Sequence, residues 1–433
     1  MVKTKNNQCE YKGEKLFSSQ TYFYSTSHSV SNTYRFLFEF DEEINYEALR
    51  FAADQCYFRY PYLMVKTKKT WNEIRLVHNE QPIVVRKTDK AVKLNSKDVN
   101  DHLIALTFFD HQLVFSAFHG LLDGTGAFMF LRTLFYYYIK IRYQENPSAD
   151  GIRLIEDEII SEEYIDPFLA LSQKNCLKLP IHGHGIKKPF RVATDTCIKR
   201  TAYHTYYVRL SQKNLIDYCR ENDSSPSSLF SLLIARAIRE LNPYTKEPII
   251  CGLDQNLRSA LNAEKSHHSL VRKSLLEYDE RLEKLPYDRQ NTAIRGRIIL
   301  DTDPDYTKEE LLNQKKFYQL LRRCPFLFMK RNLIRTKKQH TDNRNCTYVV
   351  SYTGRFSNRS IEKHINSFFI DVDAPESGII LELTSLNENF FLSFMQEWQE
   401  KIYFNAFCKK MEEIGISYEV IYEGEPVIPQ MAY

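Results

Sequence analysis

One segment constrains this chain more than any other. Between Leu113 and Ile139 an apolar strand, a short polar turn and an apolar helix follow one another without a break. Leu113-Val-Phe-Ser-Ala-Phe118 has the mostly apolar content of a core strand, Ala127 to Ile139 reads as a buried helix, and Asp123-Gly-Thr-Gly126 opens that helix. The turn carries His119, Asp123 and Gly124 as His-x-x-x-Asp-Gly. A titratable imidazole therefore stands where a core strand leaves its sheet. Of the twelve histidines, His119 alone has an Asp four residues on. That spacing arises often by accident, and it is the Gly, the strand before and the helix after that make it informative. The plainer reading is a strand-end histidine bonded to a backbone carbonyl, with Asp123 capping a helix.

At 433 residues the chain exceeds one ordinary core, and two domains of about 200 residues are expected. A hydrophobic content of 43%, with 28 Tyr and 28 Phe against 13 Gly, fills them compactly. Lys+Arg 59 against Asp+Glu 55 leaves +4, too little to draw in nucleic acid or an anionic membrane, so any anion recognition must be local. The nine cysteines form no Cys-x-x-Cys and read as reduced, buried residues of a cytoplasmic protein. The opening Met1-Val-Lys-Thr-Lys5 lacks the apolar run of a secretory signal. The most apolar helix is interrupted by Arg132 and is shorter than the roughly 20 residues that cross a bilayer, so no transmembrane segment is expected.

Along the chain, Tyr34–Phe40 reads as a strand and Leu49, Ala52, Ala53 and Cys56 as one helix face, stopped by Pro61. A strand from Tyr62 to Lys66, a hairpin partner near Ile74 to Val77, and strands at Ile104–Phe109 and Leu113–Phe118 follow. Periodicity fades between Asn146 and Arg200, which places the domains at 1–175 and 201–433 with a linker at 176–200. The pair His182/His184 in this stretch, like His267 and His268, has no further ligands nearby and reads as solvated loop rather than a metal site. Beyond it come a strand at Tyr203–Leu210, helices from Gln212 and from Ser225-Pro226, and a strand at Pro248–Leu253 leading to Arg258. A basic helical stretch (Lys308–Lys338), four strands near Thr347, Phe368, Ile379 and Phe390, and a helix striped by Phe404, Phe407, Cys408 and Met411 complete an α/β (α+β) pattern.

Several segments together resemble the chloramphenicol acetyltransferase-like superfamily, which includes condensation domains of peptide synthetases and the plant and bacterial alcohol acyltransferases. They are Phe118-His119-Gly-Leu-Leu-Asp123-Gly124, the pattern from Asp41 through Ala48-Leu49 to Arg59-Tyr-Pro-Tyr-Leu63, and Gly252-Leu-Asp-Gln-Asn256-Leu-Arg258. The match is weaker at Val350-Ser351-Tyr352-Thr353-Gly354, where Tyr352 stands at a position relatives often give to Asn. Phe118 stands where many condensation domains carry a second His, which favours simple acyl transfer over peptide-bond assembly.

The resemblance implies two similarly folded domains, each a mixed sheet with flanking helices, and a tunnel between them with His119 at its centre. It implies His119 as general base for transfer of an acyl group from acyl-coenzyme A to a small alcohol or amine. No bound cofactor or metal is needed, and coenzyme A acts as co-substrate. A histidine, with an ordinary pKa near 6.5, can take a proton in one step and return it in the next. The resemblance also implies that Asp123 turns away from His119 to pair with Arg258, a structural role in which Gly124 shares. Ser351, Tyr352 and Thr353 are candidate oxyanion or substrate contacts. The alternatives are a free-standing condensation-type enzyme fed by an acyl carrier protein, and a relative without turnover that serves as a docking module. The basic residues Arg322, Arg323, Lys330, Arg331, Arg335, Lys337 and Lys338 could meet a donor's phosphates, but a solvated helix face is the favoured explanation.

Overall fold

The computed structural model describes residues 20–26, 31–172, 187–192, 204–341, 345–372 and 378–425. Six strands occupy the first part: β1 (Thr33–Phe40), β2 (Val65–Lys69), β3 (Ile74–His78), β4 (Val85–Lys87), β5 (Ile104–Phe109) and β6 (Gln112–Phe118). Eight follow: β7 (His204–Ser211), β8 (Ile249–Asn256), β9 (Val271–Tyr278), β10 (Tyr348–Arg355), β11 (Ile365–Val372), β12 (Ile379–Leu386), β13 (Asn389–Gln396) and β14 (Tyr418–Gly424). Two helices matter most to the first lobe beside the short α1 (Gln20–Ser25), namely α2 (Tyr46–Arg59) and α3 (Gly124–Arg142).

The strands form two mixed sheets and a separate β2–β3 hairpin, an α/β architecture of two lobes. The first sheet has the order β11-β1-β6-β5-β4 and the second β14-β7-β13-β12-β10-β8-β9. Each sheet turns one face to helices. In β1, Phe36 lies against Phe128 and Phe38 against Phe135 of α3. In the second sheet, Tyr206 stacks on Phe404 at 3.8 Å, and Phe230 and Phe407 join the helices Pro226–Leu241 and Ile402–Glu413 over the same core. Alternation along each strand therefore sends every second side chain to a helix and leaves the intervening ones on the opposite face.

The lobes are knitted by a crossing that the division at 176–200 does not anticipate. Strand β11, late in the chain, leaves the second lobe and pairs antiparallel with β1 at the edge of the first sheet. It also lies over the second sheet, where the Thr384 hydroxyl donates to Phe368 O (2.7 Å) and Ile370 N donates to Ser393 Oγ (3.2 Å). Of the expected linker, residues 176–186 and 193–200 lie outside the described ones, His182 and His184 among them.

The basic stretch expected as one helix is two, Pro304–Arg323 and Leu327–Thr341, because Pro325 cannot continue the first. Ser225 caps the helix Pro226–Leu241, with its hydroxyl accepting from Ser228 N and Pro226 at the first position. Cys56, Cys219, Cys251, Cys346 and Cys408 are buried free thiols. Among the described residues no helix is long and apolar enough to cross a membrane.

Candidate active site

The last residue of β6 to pair with β1 is Phe118, opposite Thr33, so His119 is the first residue past the sheet. Its backbone N–H still donates to Asn32 O (2.8 Å), which fixes the direction in which the imidazole leaves the strand. The ring is half-buried. Tyr22 of α1 stacks on it at 4.6 Å and 9°, and Tyr34 meets it edge-on at 5.4 Å. The Tyr34 hydroxyl donates to the carbonyls of Leu122 and Asp123 (3.2 and 3.1 Å), and burial pushes this phenol well above its ordinary range, so it remains a donor. His119 Nδ1 faces Ser269 Oγ at 3.2 Å, a contact made across the two lobes.

Asp123 does not point at His119. It caps α3, with Oδ1 accepting from Gly126 N (2.9 Å), and its carboxylate meets Arg258 in a two-pronged pair: Nη2 to Oδ1 at 2.8 Å and Nη1 to Oδ2 at 2.9 Å. Arg258 is 4% exposed and Asp123 1%, so neither is a surface charge. The remaining guanidinium donors are all taken. Nε donates to Ser266 O, Nη2 to His268 O and Nη1 to Asn256 Oδ1 (3.0, 2.9 and 3.2 Å), which satisfies all five N–H groups an arginine has. Burial by itself would raise the Asp123 carboxyl. The Arg258 charge and the hydrogen bonds from Arg258, Gly126 and Leu270 outweigh it and hold the group below its ordinary value.

The clasp fixes more than its two members. Leu270 N donates to Asp123 Oδ2 (2.8 Å) and His268 O accepts from Arg258, so the residues on either side of Ser269 are both anchored, and Ser269 is presented to the imidazole. A second buried pair supports the same loop from below. Arg59 and Glu163 bind through two contacts (2.9 and 2.8 Å), the Tyr62 hydroxyl donates to Glu163 (2.7 Å) and faces His267 Nδ1 (3.2 Å), and His267 N donates to Glu163 O (3.1 Å). Arg59 and Tyr62 belong to the quoted pattern Arg59-Tyr-Pro-Tyr-Leu63, and this is what they do. His267 and His268, expected in a solvated loop, are 2% and 6% exposed because both clamps bury that loop. Burial pushes His267 down to about 3, so it is neutral.

Two glycines permit the close approach. A β-carbon on Gly124 would overlap Thr353 Cγ2, and one on Gly126 would collide with the His267 carbonyl oxygen. Thr353 therefore sits directly on the His119–Gly124 turn. The other two residues of that triplet go elsewhere. The Ser351 hydroxyl bonds to Glu382. Tyr352 points to the opposite face, packing on Phe390 and the helix-side core. Strand alternation separates Tyr352 from Thr353, and of the three candidates Thr353 is the one in contact with the turn. Among the described residues no group of three or more His, Cys, Asp or Glu side chains is arranged to hold a metal ion.

No family model matches the sequence, and no curated protein matches it. The fold does have known counterparts. The condensation domain of the Monacolin K polyketide synthase MokA superposes with TM-score 0.60 at 9% identity, covering 93% of this chain and 96% of that one. A Fusarium sporotrichioides protein, TRI101, solved with coenzyme A and T-2, gives 0.58 at 11% identity over 93% and 98%. The trichothecene 15-O-acetyltransferase TRI3 of Fusarium sporotrichioides gives 0.55 at 12% over 93% and 94%. The chain thus has the two-lobed chloramphenicol acetyltransferase-like fold over nearly its whole length.

Proposed function

We propose that this chain is an acyltransferase that moves an acyl group from a coenzyme A thioester to a hydroxyl or amine acceptor, with His119 as general base. The observation that carries the reading is the half-buried imidazole at the lobe boundary, held on one side by the Tyr22 ring and at Nδ1 by Ser269. A proton on Nδ1, donated to Ser269 Oγ, leaves the Nε2 lone pair as the base. Coenzyme A in the F. sporotrichioides counterpart supports the choice of donor.

In the proposed step, Nε2 takes the proton from the acceptor's O–H or N–H as that atom attacks the thioester carbonyl. The carbonyl π pair moves to oxygen, giving a tetrahedral oxyanion. Its return expels the thiolate, which receives the same proton from the imidazolium, so the products are the ester or amide and free thiol. A positioned base of this kind contributes typically 10²- to 10⁴-fold. Bringing donor and acceptor together and stabilising the oxyanion supply the rest, and the hydroxyl of Thr353, the residue in contact with Gly124, is the candidate side-chain donor for the latter. Asp123, Gly124 and Arg258 act through position alone.

The test is a screen of acyl-coenzyme A donors against pooled alcohols and amines, reading free thiol. Transfer by the purified chain without a carrier protein, abolished in His119→Ala, is the expected result. Transfer only from an acyl carrier protein moves the reading to a condensation-type enzyme, and thiol release unaffected by His119→Ala refutes it.

A further inference from the structure

One surface carries large side chains that neither the core nor the mechanism uses. The β2–β3 hairpin stands apart from both sheets, and its turn holds Trp71 at 68% exposure. Beside it lies the corner between the helices Pro304–Arg323 and Leu327–Thr341. There Phe326 and Phe328 stack on each other at 5.6 Å, and Trp71 meets Phe326 edge-to-face at 6.2 Å. Leu327 N donates to Trp71 O (3.1 Å), so the hairpin tip and the helix start are one unit. From that point the helix is two-sided. Leu327 and Ile334 pack into the core shared with Tyr24 and Tyr318, whereas Phe328, Met329 and Leu333 are exposed, Phe328 to 62%. Single apolar side chains on a surface need no account, but a contiguous set with aromatic anchors marks a place of association.

The charge around this patch is of one sign. From Leu311 to Thr341 the sequence has nine Lys or Arg and no Asp or Glu, in a chain whose net charge is only +4. Lys68 and Lys69 shortly precede Trp71, Arg323 shortly precedes Phe326, and all three are exposed. Glu73 is the single acid between Val65 and Val77, and it is buried and bonded to Arg75. Aromatic and aliphatic side chains ringed by long cations match a surface that is anionic at its outer layer and apolar beneath. A bilayer containing acidic lipids is such a surface. Trp and Phe settle at headgroup level, while Lys and Arg hold their charged ends at the phosphates and lay their stems along the apolar layer. A protein partner fits less well. Lysine is depleted from protein interfaces, and Trp71 and Phe328 project from a hairpin tip and a helix corner rather than lining a groove.

The patch also bears on the site. Arg331, on the same helix, donates to Thr26 O at the end of α1, and the Thr21 hydroxyl is bonded to that of Tyr318. Between them in α1 is Tyr22, the ring stacked on His119. We propose that Trp71, Phe326, Phe328, Met329 and Leu333, with Lys68, Lys69 and Arg323, seat this chain on an anionic lipid bilayer, with α1 linking the docked surface to the His119 imidazole. On the acyl-transfer reading the docked chain takes a lipid-soluble acceptor from the membrane. The docking itself does not rest on that reading.

The experiment mixes the full chain with vesicles of phosphatidylcholine alone and of phosphatidylcholine with phosphatidylglycerol, reading co-sedimentation and tryptophan emission. The chain has two tryptophans and Trp398 is 1% exposed, so a shift in emission reports on Trp71. Wild type should bind the phosphatidylglycerol vesicles with emission moving to shorter wavelength, and bind phosphatidylcholine at least about tenfold more weakly. Trp71→Ser combined with Phe328→Ser should lower the partition coefficient at least about tenfold at unchanged Tm, because both side chains are exposed in the folded chain. Lys68→Gln, Lys69→Gln and Arg323→Gln together should remove most of the preference for the anionic vesicles. No association of wild type with either vesicle, or equal partition of wild type and the variants, overturns the proposal. A concentration-dependent dimer, or capture of an acidic carrier protein, that the Ser variant abolishes while vesicle binding is absent also overturns it. Binding is read without turnover, so a chain that docks and transfers no acyl group sinks the enzymatic reading alone, and one that acylates soluble alcohols but ignores vesicles sinks the docking alone. Where both hold, the Ser variant should raise KM at least about tenfold for hexadecanol carried in the vesicles and leave turnover of a short soluble alcohol unchanged.

Discussion

Replacing one member of the Asp123–Arg258 clasp is predicted to damage stability and activity together, and replacing both is predicted to do little more. Asp123 accepts four hydrogen bonds, two from Arg258 and one each from Gly126 N and Leu270 N, all at 2.8–2.9 Å and all buried. Asp123→Asn leaves the guanidinium charge buried without a counter-charge, and Arg258→Met strands the carboxylate. Each change should cost about 3–5 kcal/mol, the range for breaking a buried pair. In a lobe of about 200 residues, where 1 kcal/mol moves Tm by about 2–4 °C, that is a fall of roughly 6–20 °C. Independent sites would make the double variant lose about 6–10 kcal/mol. A true pair should leave it within about 1 kcal/mol of the worse single, since neither charge is then stranded. Urea unfolding of the four proteins at pH 7 gives the coupling energy, and thiol-release kinetics on the same samples gives the activity. The acid limb adds a check. The folded pKa of Asp123 is depressed, so its contribution is present above the unfolded value near 3.9 and is lost as pH falls through the folded one. Asp123→Asn should lack that part of the acid sensitivity. Losses that simply sum in the double variant would refute the reasoning.

Three further outcomes follow from the geometry. Ser269→Ala should lower kcat by about tenfold with KM and Tm little changed and should displace the acidic limb of the pH profile, with Ser269→Thr recovering much of the loss, because only the hydroxyl facing Nδ1 is removed. Gly124→Ala should destabilise by about 1–3 kcal/mol through overlap with Thr353 Cγ2, and Thr353→Ser, which deletes that methyl, should restore part of it in calorimetric melts. Glu382, pushed up to about 8 by burial, is protonated in the folded chain and ionised in the unfolded one between about pH 4.3 and 8, so its presence lowers stability as pH rises through that window. Glu382→Gln should flatten that slope when urea midpoints at pH 5.5 and 8.5 are compared.

The turn carrying His119 was legible because local chemistry specifies it. An apolar strand, an Asp that can cap and a long apolar helix agree on one structure, and the helix begins at Gly124 as its cap requires. The same holds for the helix opened by Ser225-Pro226. Strand β9 went unread because Leu275 and Glu277 keep one face half-exposed, and β14 because it is an outer strand with little burial to impose a pattern. The transfer of β11 to the first sheet depends on pairing between residues more than 300 positions apart, for which no local pattern exists. Ser269 was invisible for a related reason. Its neighbours Ser266, His267 and His268 look like a hydrophilic loop, and only the two buried pairs beneath it make that loop part of the site. The quoted arginine segment led to Arg258, while what Arg258 holds in place required coordinates.

The central claim is chemical, that the His119 imidazole moves the proton in an acyl transfer. The direct measurement is thiol release per enzyme by wild type and His119→Ala, side by side with their melting curves, on an acyl-coenzyme A and acceptor pair found by screening. The prediction is a loss of about 10²- to 10⁴-fold in the variant with Tm nearly unchanged, since the ring is half-buried and its stacking partner Tyr22 is only partly covered. A variant that keeps wild-type turnover while folding normally would contradict the account.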